Sequence, residues 1–140
     1  SFLAPLTDWL SASGEWAVAD QRYDFDQPAN NIVDGARIDT APVTLGTFRL
    51  SADWGQFEAE IEWRHVGEYF TDEANTQTYP GHDIAVLRAN YAVTEAMTFF
   101  GRVDNLFDAK YADRADFAFG NERYFPGRPR TLFMGLTVEY

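Results

Sequence analysis

The feature that most constrains this chain is a row of charges on alternate residues. From Phe57 to Arg64, Phe57, Ala59, Ile61 and Trp63 fall on one side of an extended backbone, and Glu58, Glu60, Glu62 and Arg64 fall on the other. A half-buried strand of a soluble protein also alternates. Four consecutive charged positions facing one way is extreme for such a strand, and is what a strand between hydrocarbon and a polar lumen requires.

The same period recurs along the chain. Leu10, Ala12, Trp16 and Val18 oppose Ser11, Ser13 and Glu15; Phe48, Leu50 and Ala52 oppose Thr47, Arg49, Ser51 and Asp53. Leu87, Ala89, Tyr91 and Val93 oppose Arg88 and Asn90, and Met97, Phe99 and Val103 oppose Thr98, Arg102 and Asp104. Leu132, Met134, Leu136, Val138 and Tyr140 oppose Thr131, Thr137 and Glu139. These are six strands of about ten residues, the length with which a tilted strand crosses a bilayer.

Connections alternate in length. Keeping Asp53, Ser51 and Arg49 on one face with Glu58, Glu60 and Glu62 pairs Trp54 with Phe57 and leaves Gly55-Gln56 as a two-residue loop. Glycine at the first central position suits a type II′ turn, and the register sets Arg49 opposite Glu62. The turn at Thr94-Glu95-Ala96 leaves several registers open. The other connections, 20–43, 71–83 and 107–129, are long. Short turns at one end and long loops at the other are the habit of outer-membrane barrels. Aromatics gather near strand ends: Trp9, Trp54, Phe57, Tyr91, Phe99 and Tyr140 at the short-turn end, and Tyr69, Phe70, Phe107, Tyr111, Tyr124 and Phe125 at the long-loop end. They read as two interfacial girdles.

Composition narrows the chemistry. The absence of cysteine excludes disulfides and thiol catalysis, and a net charge of −11 argues against a nucleic-acid partner. The two histidines, His65 and His82, lack metal-ligand spacing, so neither a metal, a cofactor nor an enzyme active site is expected. The glutamate row reads as a hydrated wall balanced by Arg49. Six strands cannot close a barrel, because two unpaired edges would remain in hydrocarbon. The expectation is a partial barrel over residues 1–140 of a longer protein.

The last forty-odd residues carry the motifs of a family. Asn105-Leu106-Phe107-Asp108, followed shortly by Tyr111, precedes a long loop, and Pro126-Gly127-Arg128 leads into the last strand. Gly135, Val138 and Tyr140 match a terminal Gly-x-x-apolar-x-aromatic assembly signal, with Phe133 departing from the usual polar residue two before the glycine. In these features the chain resembles the C-terminal end of TonB-dependent outer-membrane receptors.

The resemblance implies an all-β, transmembrane antiparallel β-barrel, of which these are the last six of 22 strands. It also implies energised uptake of a scarce solute, most often an iron chelate, in the cell outer membrane. Implied partners are the receptor's own plug and upstream strands, TonB through that plug, the barrel assembly machinery, lipid and lipopolysaccharide. Cargo contacts are expected from the long loops, at Tyr79 and His82 and at Tyr111, Arg114, Arg123 and Tyr124. Periodicity alone leaves open a soluble lipocalin-like barrel, and a passive porin-type barrel would lack the Asn-Leu-Phe-Asp step.

Overall fold

A computed structural model describes residues 1–139; Tyr140, and with it the last residue of the assembly signal, lies outside the described residues. In chain order the strands are β1 (Phe2–Pro5), β2 (Leu10–Val18), β3 (Thr44–Asp53), β4 (Phe57–Val66), β5 (Tyr69–Phe70) and β6 (Thr78–Tyr79). They continue with β7 (His82–Thr94), β8 (Met97–Asp104), β9 (Ala112–Ala118), β10 (Asn121–Pro126) and β11 (Thr131–Val138). Seven form one antiparallel sheet in the order β1-β2-β3-β4-β7-β8-β11, while β5-β6 and β9-β10 are separate hairpins inside two long connections. Each main strand pairs with the next main strand in sequence, and β1 and β11 are open edges among the described residues.

The six alternating segments are all present, and the sheet corrects the expected strand count from six to seven. β1 escaped notice because four residues are too few to show a period, and Pro5 argues against a ladder. Pro5 stands at the strand's last position, opposite Ser11. β1 is also an edge of the sheet among the described residues, and an edge strand tolerates a missing N–H.

Register explains the charge pattern. Arg49 stands opposite Glu62, Ser51 opposite Glu60 and Asp53 opposite Glu58, as the sequence predicts. Glu60 in turn faces Arg88. These rows make one wall polar: Glu62 is buried and contacted by Arg49 (2.6 Å), Arg64 and Arg88 (3.4 Å), while Arg88 also meets Glu60 at 2.7 Å. The opposite parity exposes Trp16, Phe48, Ile61, Tyr91, Phe99, Leu132, Met134, Leu136 and Val138. An apolar face of this breadth, left uncovered, is a surface made for lipid.

The turn at Gly55 has the expected register and a tighter closure. Gly55 takes φ +79°, and the Gln56 N–H donates to the Trp54 carbonyl at 3.1 Å, a γ-turn across one residue in place of the type II′ turn. The Asp53 carboxylate accepts from the Gly55 N–H at 2.7 Å and holds the bend. At the next short turn the pairing is Ala92 with Thr98 and Thr94 with Met97, and an irregularity at Val93 settles the register that periodicity left open.

The short-turn girdle is present, with Trp9 stacked on Trp54 at 5.2 Å and Phe57, Tyr91 and Phe99 in one row. The other girdle is built differently from expectation. Tyr69 is buried in a loop core, and the rings at that end of the outward face are Trp16, Trp63 and His65. Sequence position placed Tyr69 near the rim, but only tertiary contact shows that the long loops have an apolar core of their own.

Candidate functional site

At the long-loop end, the third long connection folds back over the polar wall. Its fold begins with Asn105, whose positive φ of 50° suits an Asn and turns the chain out of β8. The buried Asn105 amide donates to the carbonyls of Ala109 and Arg128, both at 3.0 Å, and its oxygen accepts from the Ala109 N–H at 2.9 Å. One side chain therefore ties together both ends of the 109–128 segment. Leu106 N–H donates to the Ala85 carbonyl, anchoring the motif to β7. Asp108 accepts from the Arg130 N–H at 3.0 Å, and this bond holds its carboxyl below the usual range. Gly127 completes the motif for steric reasons: a Cβ there would run into the Tyr111 ring.

Within this segment β9 and β10 form a hairpin whose tip, Phe119-Gly120, has φ of 56° and 77°. Two positive φ values identify a type I′ turn. The hairpin stands on β5 and β6. Tyr69 and Tyr79 hydroxyls accept from the N–H groups of Ala115 (2.8 Å) and Ala112 (3.0 Å), and the Phe117 N–H donates to the Thr71 carbonyl at 2.8 Å. Tyr69, Tyr79, Ala112 and Ala115 form the buried core beneath. The first long connection joins through Asn75, which exchanges two 2.8 Å bonds with the backbone of Arg37. All three connections are thus bonded into one cap.

The six residues expected to meet cargo occupy different places in this cap. Tyr79 is buried, its hydroxyl already bonded to Ala112 and near His82 Nδ1 at 3.1 Å. His82 opens β7, and its ring lies 4.5 Å from that of Tyr111. Tyr111 lines a cavity of about 220 Å³ between the cap and the wall, with Arg64, Arg102, Arg128, Asp104 and Asp113. Burial raises the Tyr111 hydroxyl's pKa, with Asp113 adding to the effect, so the group remains a donor at neutral pH. Arg114 and Arg123 sit apart on one face of the hairpin, flanking Asp116. Arg123 bonds Asp116 at 2.7 Å, while Arg114 approaches its other oxygen at 2.7 Å without hydrogen-bond alignment. Both guanidinium groups lie over Phe125, at 5.7 and 5.8 Å. Tyr124 projects outward and donates to Glu122 at 2.7 Å.

The sequence reading missed Arg64, Arg102 and the role of Arg128. Alternation assigned the first two to the polar wall and the third to a motif, and nothing local shows that the loop returns to bring them together. Arg64 contacts Glu62 and Arg102 contacts Asp104 at 2.6 Å, whereas Arg128 has no ion pair among the described residues. The cavity therefore presents three guanidinium groups and a phenol, a donor set for an anionic, oxygen-rich ligand. A larger hollow of about 440 Å³ at the short-turn end is lined by Asp8, Asp53, Glu58 and Glu60, with Arg88 already paired. Its charge is wrong for such a ligand.

No protein-family model matches the chain. It is 29% identical over 150 residues to the metal-pseudopaline receptor of Pseudomonas aeruginosa, covering 99% of this chain and 20% of that protein. The ferric yersiniabactin uptake receptor of Yersinia pestis has a TM-score of 0.81 at 15% identity, covering 99% of this chain and 22% of that one. The siderophore receptor PiuA of Acinetobacter baumannii has a TM-score of 0.78 at 16% identity, covering 99% and 20%. The chain spans about a fifth of the length of these relatives. It has the fold of the wall of TonB-dependent outer-membrane receptors.

Proposed function

We propose that this chain, having the wall fold of an outer-membrane receptor, is the C-terminal part of one that takes up an anionic metal chelate in a TonB-dependent manner. The relatives named as receptors for metal-pseudopaline, ferric yersiniabactin and siderophores support that cargo class. The observation that carries the reading is the cavity under the cap, where Arg64, Arg102, Arg128 and Tyr111 converge. Charge-assisted bonds from guanidinium groups favour carboxylate, hydroxamate or catecholate oxygens over neutral solutes. Arg114, Arg123 and Phe125 offer a second cationic and aromatic surface on the cap.

The remaining parts of the reading belong to the longer protein. An N-terminal plug fills the lumen, TonB acts through that plug, and upstream strands complete a 22-stranded barrel. The role is transport rather than catalysis. Gly135 and Val138, with Tyr140, serve the barrel assembly machinery as a terminal signal.

In the full-length receptor, Arg102→Ala with Arg128→Ala should weaken binding of the cognate ferric or other metal chelate by about a hundredfold, two charge-assisted bonds being lost. Heat-modifiable gel mobility should show an intact barrel. Unchanged affinity with intact assembly would exclude this cavity as the cargo site.

A further inference from the structure

The outward face of the sheet is apolar or small along nearly its whole extent. By register, the outward parity of β2, β3, β4, β7, β8 and β11 carries one carboxylate among the described residues, Asp83, and one imidazole, His65. They stand opposite each other in the row Trp16, Gly46, His65, Asp83, at the long-loop end. A carboxylate on a surface otherwise made for hydrocarbon needs a reason to be there.

The row is built rather than casual. His65 Nδ1 lies 2.9 Å from an Asp83 oxygen and Nε2 lies 3.1 Å from the Thr44 hydroxyl, so both ring nitrogens are engaged. A carboxylate only accepts, so Nδ1 carries the proton. The imidazole stacks on Trp16 at 4.9 Å, and Trp63 lies 5.6 Å from it. Gly46 is required here, because a Cβ would collide with the Trp16 indole. His65 uses one Asp83 oxygen, the other makes no hydrogen bond among the described residues, and the side chain is 55% exposed. No lysine or arginine shares this outward parity.

We infer that Asp83, with the aromatic group of Trp16, Trp63 and His65, receives the ammonium of an amine-bearing lipid headgroup at the outer rim of the barrel. The position is where the lipid-facing surface ends, so the occupant is an amphiphile whose chains continue down that face. Charge complementarity selects a cation over a bare phosphate, and indole rings favour a positively charged group near their faces. The site is separate from the cargo cavity, which lies on the lumenal face of the same sheet.

The test uses the full-length receptor in nanodiscs of mixed phosphatidylethanolamine and phosphatidylglycerol, with retained lipid counted by native mass spectrometry. Wild type should retain the ethanolamine lipid in preference by about tenfold, an ion pair plus a cation–π contact. Asp83→Asn preserves an acceptor for His65 and should abolish the preference; Trp63→Leu should reduce it. Retention of phosphatidylglycerol instead, or an unchanged preference in Asp83→Asn, would overturn the inference. Cargo affinity should be unaffected in both variants. Heat-modifiable mobility checks folding, and should a variant not assemble, titrating wild type with ethanolamine-free phosphatidylcholine decides, since equal retention of that lipid and phosphatidylglycerol also refutes the site.

Discussion

Asn105→Ala should loosen the cap without unfolding the barrel. The substitution deletes three hydrogen bonds, of 2.9, 3.0 and 3.0 Å, from a buried side chain. At about 1 kcal/mol net each they contribute roughly 3 kcal/mol, and alanine at positive φ adds about 1 kcal/mol of strain. Carbonyl groups of Ala109 and Arg128 lose their donor, which raises the total from roughly 4 to about 5 kcal/mol or more if water does not reach them. The effect should be local, because the Asn105 side chain bonds only to the ends of the 109–128 segment while the main sheet keeps its ladders. Hydrogen exchange at the Ala109 and Gly127 amides of the full-length receptor should quicken on the order of a hundredfold or more, with β3 and β4 unchanged. Asn105→Asp retains the acceptor for Ala109 but sets an acceptor-only oxygen against both carbonyls in a buried site, so it should be at least as damaging as alanine. Asn105→Gly relieves the φ strain and should be milder than alanine by about 1 kcal/mol. Unchanged exchange at Ala109 in the alanine variant would refute the idea that this side chain holds the cap.

Ile61→Arg, on the outward face, should cost about 2–4 kcal/mol in folding into lipid vesicles, whereas Glu60→Gln on the lumenal wall should be mild; equal effects would mean that the two faces have been assigned in reverse. The pH response of the β9–β10 hairpin should be flat through neutrality. Arg123 holds the Asp116 carboxyl below its usual range, so the ion pair's contribution is present above the unfolded value of about 4 and is lost as pH falls through the lower folded value. Limited proteolysis at the hairpin should therefore accelerate only below about pH 4, and Asp116→Asn should remove that acid dependence; acceleration between pH 5 and 7 would contradict it.

The faces of the strands were legible because the side-chain period of a strand is two, and a one-residue slip would carry Glu58, Glu60 and Glu62 into lipid. That alone determined Arg49 opposite Glu62 and Trp54 opposite Phe57. Chain ends and turn geometry are set by fewer residues. Four-residue β1 left no pattern, and whether Gly55 closes a γ-turn or a type II′ turn depends on whether the Gln56 or the Phe57 N–H reaches the Trp54 carbonyl. The Asn105 motif was recognisable, yet its work, bonding the Arg128 carbonyl while holding Ala109, joins Asn105 to a residue 23 positions on.

By itself, then, the sequence determined the class of surface on each side of the wall, the strand register across the tight turn and the end at which the long loops emerge. Those are consequences of local alternation and of hydrocarbon's intolerance of charge. Only the tertiary structure decided that Tyr69 leaves the rim and joins Tyr79 in a core under the cap. It also brought Arg64, Arg102 and Arg128 around one cavity, and set Asp83 beside His65 on the lipid side. Each depends on where a loop returns or which strand lies alongside, and those contacts join residues whose separation no local period encodes.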